Sequence, residues 1–375
     1  MNSNLSKARI GRRGLLIGGV GAAGLLAAPA RLWAQAKGAA TDFAGVLAGA
    51  KREGALIVKV SSPGASDTHK ALFDAFKTRF GLSIQAEWTP MSSVQTGTRV
   101  VAEAAGGRGS VDVIGSGGAE EVAVLLSRQL VKPYPWAEVF GKELPAIGAL
   151  AGSVMHELQG MALPILDAVY GIAWNPQLID EKEVPAKMLD LVDPRWKGRF
   201  VANAQFLIPF EALTRELGPE QALAVAGKIV ENRPILERGT PAVSRAVSVG
   251  QAPLGVTTFH SADRAARAKE PQRFRLFADY IPVYPLYVYV PETAPNPNAA
   301  RLFAAWLVTE GAAISDLHES MPRLGDPAGR LAKIVAAQEQ ATGAKILNPA
   351  SLGEIAAAEP VRRRITELLA GAGAH

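Results

Sequence analysis

Residues 55–81 read ALIVKVSSPGASDTHKALFDAFKTRFG, and the fold follows from this stretch. Ala55 to Ser61 is β-rich and reads as a mostly buried strand. Ser62-Pro63-Gly64-Ala65-Ser66-Asp67 is a loop with several helix-capping residues. Leu72, Phe73, Phe76 and Phe80 then recur at helical spacing, and Gly81 ends the helix. The same unit repeats downstream. Leu82, Ile84, Ala86 and Trp88 alternate as in a strand, and Met91-Ser92-Ser93 opens a helix to about Ala105. Val111–Ile114 is a third strand, followed by Gly115-Ser116-Gly117-Gly118 and a helix from Ala119. A short helix, Thr41 to Lys51, precedes them all. Alternation of strand, loop and helix predicts an α/β chain whose parallel strands are covered by helices on both faces.

In such sheets ligands bind beyond the carboxyl ends of the strands, at the loops leading into helices. Ser61/Ser62, Ser92/Ser93 and Ser116/Gly117 stand at three successive loops of this kind. Each offers hydroxyls and helix N-terminal N–H groups to an anion or polar oxygen; each serine could equally serve only as a cap. A second block has the same texture. It holds strands at Val169–Trp174, Arg199–Ala202, Leu254–Thr258 and Tyr284–Val290. Its helices run over Phe210–Leu217 (stopped by Gly218), Pro219–Asn232, Ala242–Val249 and Ala299–Val308.

The first 36 residues read differently. Lys7, Arg9, Arg12 and Arg13 lead into a weakly apolar run, Gly14 to Ala30, of 17 residues with five glycines. That is short of the roughly 20 apolar residues a membrane-spanning helix needs. Ala34-Gln35-Ala36 supplies a cleavage site. The segment 1–36 is expected to be a twin-arginine-type signal peptide, removed outside the cytoplasmic membrane, with a general secretory signal as the alternative. It carries five basic and no acidic residues, so of the chain's 40 basic and 35 acidic residues the mature part keeps 35 of each. A balanced surface argues against nucleic acid or an anionic bilayer as partner. About 339 mature residues suggest two domains. The absence of cysteine excludes disulfides, iron–sulfur clusters and cysteine nucleophiles. No nucleophile elbow, H-E-x-x-H or P-loop occurs, and Glu120-Glu121 sit at a helix start where the dipole accounts for them.

Further segments carry a family likeness. Lys51-Arg52-Glu53-Gly54 precedes the first strand and Leu72-Phe73-Asp74-Ala75-Phe76 follows it. Val111-Asp112-Val113-Ile114, Tyr170–Asn175 (YGIAWN), Asp190–Arg199 (DLVDPRWKGR) and Pro295–Ala300 with Phe303 and Trp306-Leu307 come in that order. With these the chain resembles the periplasmic solute-binding proteins of ABC importers, in the branch that includes ferric-iron and 2-aminoethylphosphonate binders. The resemblance implies a two-lobed type 2 periplasmic-binding-protein fold, with mixed sheets flanked by helices and an interlobe cleft. Lobe one would be 38–165 plus 284–375, and lobe two 166–283. The crossings would fall near Leu163-Pro164-Ile165 and Ile281-Pro282-Val283. It implies a periplasmic monomer without cofactor or catalysis, which captures a small-molecule ligand by hinge closure and docks on a membrane permease, with no membrane insertion after signal cleavage.

Ferric binders of this branch use paired tyrosines just after the strand Leu254–Thr258. This chain has Phe259-His260-Ser261 there, and His69 reads as a solvated helix-start residue. An anionic or zwitterionic organic solute is therefore expected, with ferric iron, or an exported enzyme on the same fold, as the alternatives. The expected ligand-binding residues are Ser61, Ser62, Ser92, Ser93, Ser116 and Gly117 from one lobe and Asn203, Arg238, Thr240 and His260 from the other. Arg238 would pair with a carboxylate or phosphonate, or lie on the surface. Asp167 would pair with an amine, or brace the hinge. Tyr170, Phe206 and Phe259 would line the apolar part of the site, or belong to the core.

Overall fold

The computed structural model describes residues 42–326 and 329–372, all within one compact unit, 40–375. The expected signal peptide, its cleavage site and the helix start at Thr41 lie outside the described residues.

Ten strands are described: β1 Ala55–Val60, β2 Gln85–Trp88, β3 Val113–Gly117, β4 Ala162–Trp174, β5 Phe200–Asn203, β6 Ile235–Glu237, β7 Leu254–Thr258, β8 Arg273–Leu276, β9 Tyr280–Tyr289 and β10 Lys345–Leu347. The helices are α1 Phe43–Glu53, α2 Ser66–Phe80, α3 Ser93–Ala105, α4 Ala119–Leu126, α5 Trp136–Phe140, α6 Ile147–Gly152 and α7 Thr214–Glu231. They continue with α8 Thr240–Ser248, α9 Phe259–Arg267, α10 Pro297–Val308, α11 Gly311–Glu319, α12 Arg330–Thr342 and α13 Leu352–Ala372. The strand order is β2-β1-β3-β9-β4-β7-β5-β6, with β10 beside β9 and β8 beside β4.

Two parallel groups, β2-β1-β3 and β7-β5-β6, stand at either end, as the strand–loop–helix units dictate. Between them run the long strands β4 and β9, antiparallel to each other. Every residue of β4 is buried. Its first part, Ala162 to Val169, pairs with β9; Tyr170 to Trp174 pair with β7. The change of partner thus falls at Val169/Tyr170. Pro164 sits where the β4–β9 register shifts, a place where a missing N–H costs no ladder bond.

Each end has its own core. One gathers Val46, Phe76, Phe140, Phe303 and Trp306, with Phe76 and Phe303 edge to face at 5.0 Å. The other gathers Ile172, Trp196, Phe200, Phe210 and Ile229. Leu347, Val361 and Ile365 from the chain's last part join this second core. Ile355, on the first turn of α13, packs instead into a third cluster around Ile114, Val122 and Tyr289. The last helix therefore touches both ends of the sheet. The expected break at Gly218 is present within α7, where the glycine takes φ 78°.

Candidate functional site

A cavity of about 460 Å³ lies where the two ends of the sheet face one another. Ser61, Ser62, Ser92, Ser116, Tyr170, Asn203, Thr240 and His260 all line it. These are eight of the twelve residues expected from sequence, contributed from both sides. The size suits a small organic molecule.

Local geometry explains how they arrive there. Ser116 occupies a bulge: the β3–β9 register shifts between Gly115 and Gly117, and Ser116 itself takes φ 60°. Its Oγ donates to the Ser62 carbonyl (2.9 Å) and accepts from the Ser62 N–H (3.0 Å), tying two of the loops together. Ser92 is exposed and caps α3 by accepting from Gln95 N–H (3.3 Å). Along β4 the side chains alternate, so Leu166, Ala168 and Tyr170 face the cavity.

The same alternation turns Asp167 away. Its Oδ2 accepts from Leu324 N–H (2.7 Å), so it braces β4 against the segment after α11. Burial pushes its carboxyl upward, against that bond and the pull of Arg323. Ser93 is buried, and Gly117 lets it pack closely, since a Cβ on Gly117 would lie 2.7 Å from Ser93 Cβ. Arg238 is exposed and lies outside the cavity lining. Phe206 lines the cavity, whereas Phe259 is buried in a cluster with Leu276 and Leu331. His69 departs from the expectation: it is buried, stacked on Trp88 at 4.4 Å, with Nε2 2.9 Å from the Pro63 carbonyl. The Trp88 face gives this imidazole an apolar seat that outweighs solvation.

Two of the three N-terminal helix ends on the β1–β3 side already carry protein carboxylates. Glu319 accepts from Gly64 N–H and Ala65 N–H, both at 2.8 Å, at the start of α2. Glu120 and Glu121 occupy the first turn of α4 and line the cavity. On the other side the picture is reversed. The starts of α8 and α9, at Gly239 and Thr258, have no side-chain cap and no acidic residue in the first turn. Around them runs a hydroxyl chain: Thr258 Oγ1 to Ser261 Oγ (3.0 Å), and Ser261 Oγ to Thr240 Oγ1 (3.1 Å). His260 is buried and its Nδ1 has no partner among the described residues. Burial, with Arg264 adding to it, depresses its pKa to about 3, so the ring is neutral.

Three residues that the sequence did not single out complete the wall: Arg362, Tyr284 and, behind them, Glu211. Arg362 reaches in from α13 with Nη1 on Glu120 (2.8 Å) and Nη2 3.8 Å from Glu211. Its guanidinium lies 5.1 Å from the Phe206 ring centroid. Tyr284 donates to Glu211 (2.7 Å) and packs edge to face on Tyr170 at 5.5 Å. Burial lifts the Glu211 carboxyl to about 7 despite the Tyr284 bond and Arg362. Burial also raises both tyrosines, which keeps them as phenols. Among the described residues no group of three or more His, Asp or Glu is arranged to hold a metal ion.

A family model described as bacterial extracellular solute-binding protein matches residues 62–314, about two thirds of the chain. The chain belongs to that family. This solute-binding protein works outside the cytoplasm, and its family is one of binding proteins. Its fold is the two-lobed one seen in iron-bound HitA from Pseudomonas aeruginosa, at 21% identity and TM-score 0.63, covering 83% of this chain and 99% of that one. AfuA from Actinobacillus pleuropneumoniae, solved with fructose-6-phosphate bound, gives TM-score 0.64 at 14% identity, covering 84% and 97%. An Fe(3+)-binding periplasmic protein of Serratia marcescens is 34% identical over 86 residues, 22% of this chain and only a quarter (25%) of that relative's length.

The Glu319 clamp is testable on its own. Glu319→Gln keeps the shape but removes the charge that holds two backbone donors and pairs with Arg264 (3.3 Å), and is expected to cost about 1–2 kcal/mol in all. A urea midpoint equal to that of the parent protein would show that the clamp adds nothing.

Proposed function

We propose that this protein is the extracytoplasmic solute-binding component of an ABC importer and captures a small zwitterionic organic solute by hinge closure. Delivery would use the twin-arginine-type signal at 1–36. The lobes would be 38–165 plus 284–375, and 166–283, with the final helix seated partly on the second. β4 and β9 run through both, so bending of these strands would close the cavity, and the closed monomer would dock on a membrane permease.

One observation carries the ligand class. The cavity is acidic at one end, where Glu120 and Glu121 sit, and rich in uncapped helix N-termini and hydroxyls at the other. An ammonium group fits the first, a carboxylate or phosphonate the second. A purely anionic solute would meet Glu120 and Glu121, with the one arginine of the lining already shared between two carboxylates. The residue pattern after β7, Phe259-His260, where ferric binders of this branch carry paired tyrosines, favours an organic solute over bare ferric ion. The function is binding without turnover, as the family of binding proteins to which the chain belongs suggests.

A thermal-shift screen of zwitterions, simple carboxylates, polyamines, sugar phosphates and ferric salts tests this. Zwitterions should give the largest rise in melting temperature; a rise with ferric salts alone, accompanied by a visible charge-transfer band, would sink the reading. For the best solute, Thr240→Val should weaken binding about tenfold by removing one hydroxyl at nearly constant volume. Calorimetry showing unchanged affinity would remove Thr240 from the site.

A further inference from the structure

The end of α11 touches both walls of the cleft. On one side Glu319 accepts from Gly64 N–H and Ala65 N–H, on the loop that follows Ser62. On the other it pairs with Arg264 of α9 at 3.3 Å. α9 starts at Thr258 and carries His260, so it belongs to the opposite wall. Two further side chains of α9 reach the same place. Asp263 accepts from Ser320 Oγ at 2.8 Å. Arg267 donates to the Asp316 and Leu317 carbonyls at 2.6 and 3.0 Å, in the last turn of α11, where a cation is favoured. Asp263 is buried, and Arg267 and Arg330 compensate its charge.

Beyond Ser320 the chain takes the edge of β4 opposite β9, short of where β7 begins at Tyr170. Asp167 N–H donates to the Pro322 carbonyl (3.1 Å), and Asp167 Oδ2 accepts from Leu324 N–H (2.7 Å). Arg323 between them donates to the Pro164 carbonyl at 3.3 Å. α11 packs on α2, on the β1–β3 side. α12 sits elsewhere: its Leu331 and Val335 pack with Val169, Phe259 and Leu276, and the next strand, β10, pairs with Tyr280–Pro282 of β9. The polypeptide therefore changes sides between α11 and α12, next to the point where β4 exchanges partners.

We infer that Ser320–Leu324 is a third connection of the hinge, beside β4 and β9, and that Ser320, Asp263 and Arg267 are positioning residues for solute capture. The inference rests on hinge closure as proposed above, and not on the class of solute. None of the three residues lines the cavity, so they act through α9. Their bonds exist in the arrangement where residues from both walls share one space. Breaking one favours other arrangements, and the apparent affinity for a solute falls with the population of the closed one.

The test uses the mature full-length protein. The chain has no cysteine, so Thr78→Cys on α2 and Lys228→Cys on α7, both exposed, place one dye pair on the two sides. Single-molecule energy transfer then reads the ratio of closed to open molecules without any solute. Ser320→Ala and Arg267→Gln, the latter at a partly exposed side chain, are expected to fold and to lower that ratio about fivefold each. Arg267→Lys should restore part of it. The readings are taken well below the melting temperature, where a variant that is only less stable stays folded and keeps the parent ratio. A parent that exchanges between two distances, with the same occupancies in both variants, would overturn the third connection alone. One fixed distance in parent and variants alike would overturn hinge closure together with it.

Discussion

Arg362→Met is expected to lower folding stability by about 3 kcal/mol at neutral pH, and to weaken solute binding with it. The argument rests on where the two partners lie. Glu120 is 42% exposed, so its share of the interaction is screened and small. Glu211 is 1% exposed, and removing the cation beside it leaves a buried carboxylate with the Tyr284 hydrogen bond but no counter-charge. Methionine keeps the apolar volume over Phe206 and isolates the charge from the packing. Glu211 can escape part of the penalty by taking up a proton. The loss should therefore shrink as the pH falls and grow above about pH 7, where the parent protein ionises this group. Urea denaturation at acid and at neutral pH checks this. Coincident midpoints for parent and variant at neutral pH would show that the guanidinium does not hold Glu211.

The second large effect concerns Glu211 itself. Its folded pKa is raised to about 7 by burial, above the value near 4.5 of an exposed glutamate. A raised acid binds its proton more tightly in the folded state. Its contribution to stability is complete below about pH 4.5 and is lost as the pH rises through about 7. The whole swing is about 3 kcal/mol, at 1.36 kcal/mol per pH unit. Other groups titrate in the same range. Burial lifts Asp112 to about 6, which acts in the same direction. His260, depressed to about 3, acts in the opposite one, since stability is gained as the pH rises through its range. The measurement is thus the difference between the parent protein and Glu211→Gln, which keeps an acceptor for Tyr284. The variant should gain on the parent steadily between about pH 4.5 and 7. Parallel stability curves would show that Glu211 titrates normally.

The regular part of the fold was legible from the chain because it is local. Strand ALIVKV, the SSPGAS loop and the helix with Leu72, Phe73 and Phe76 all carry their period within a few residues, and the structure follows them. The short strands β6, β8 and β10 carry no such signal; they are three or four residues long and exist through their neighbours. In the site, loop serines were found because strand ends point to one place in an α/β sheet. Asp167 and Arg238 show the limit of that logic. Arg238 follows a strand end and Asp167 precedes the strand expected from Val169, but Asp167 lies mid-way along the longer β4 on the parity facing away from the cavity, and Arg238 is turned to solvent. Arg362 is the opposite case. It opens the run Arg362-Arg363-Arg364, which reads as a solvated helix face. Only the packing of α13 decides that the first of the three is buried while the other two are exposed.

That same helix bears on how the protein comes into being. Ile355 completes one cluster and Val361 and Ile365 complete another, at opposite ends of the sheet. Both gaps stay open until residues 352–365 have been translated and have cleared the ribosome. A nascent chain halted before residue 352 would expose apolar surface at each end, a substrate for chaperones and proteases. Neither end of the sheet closes its core before this helix docks.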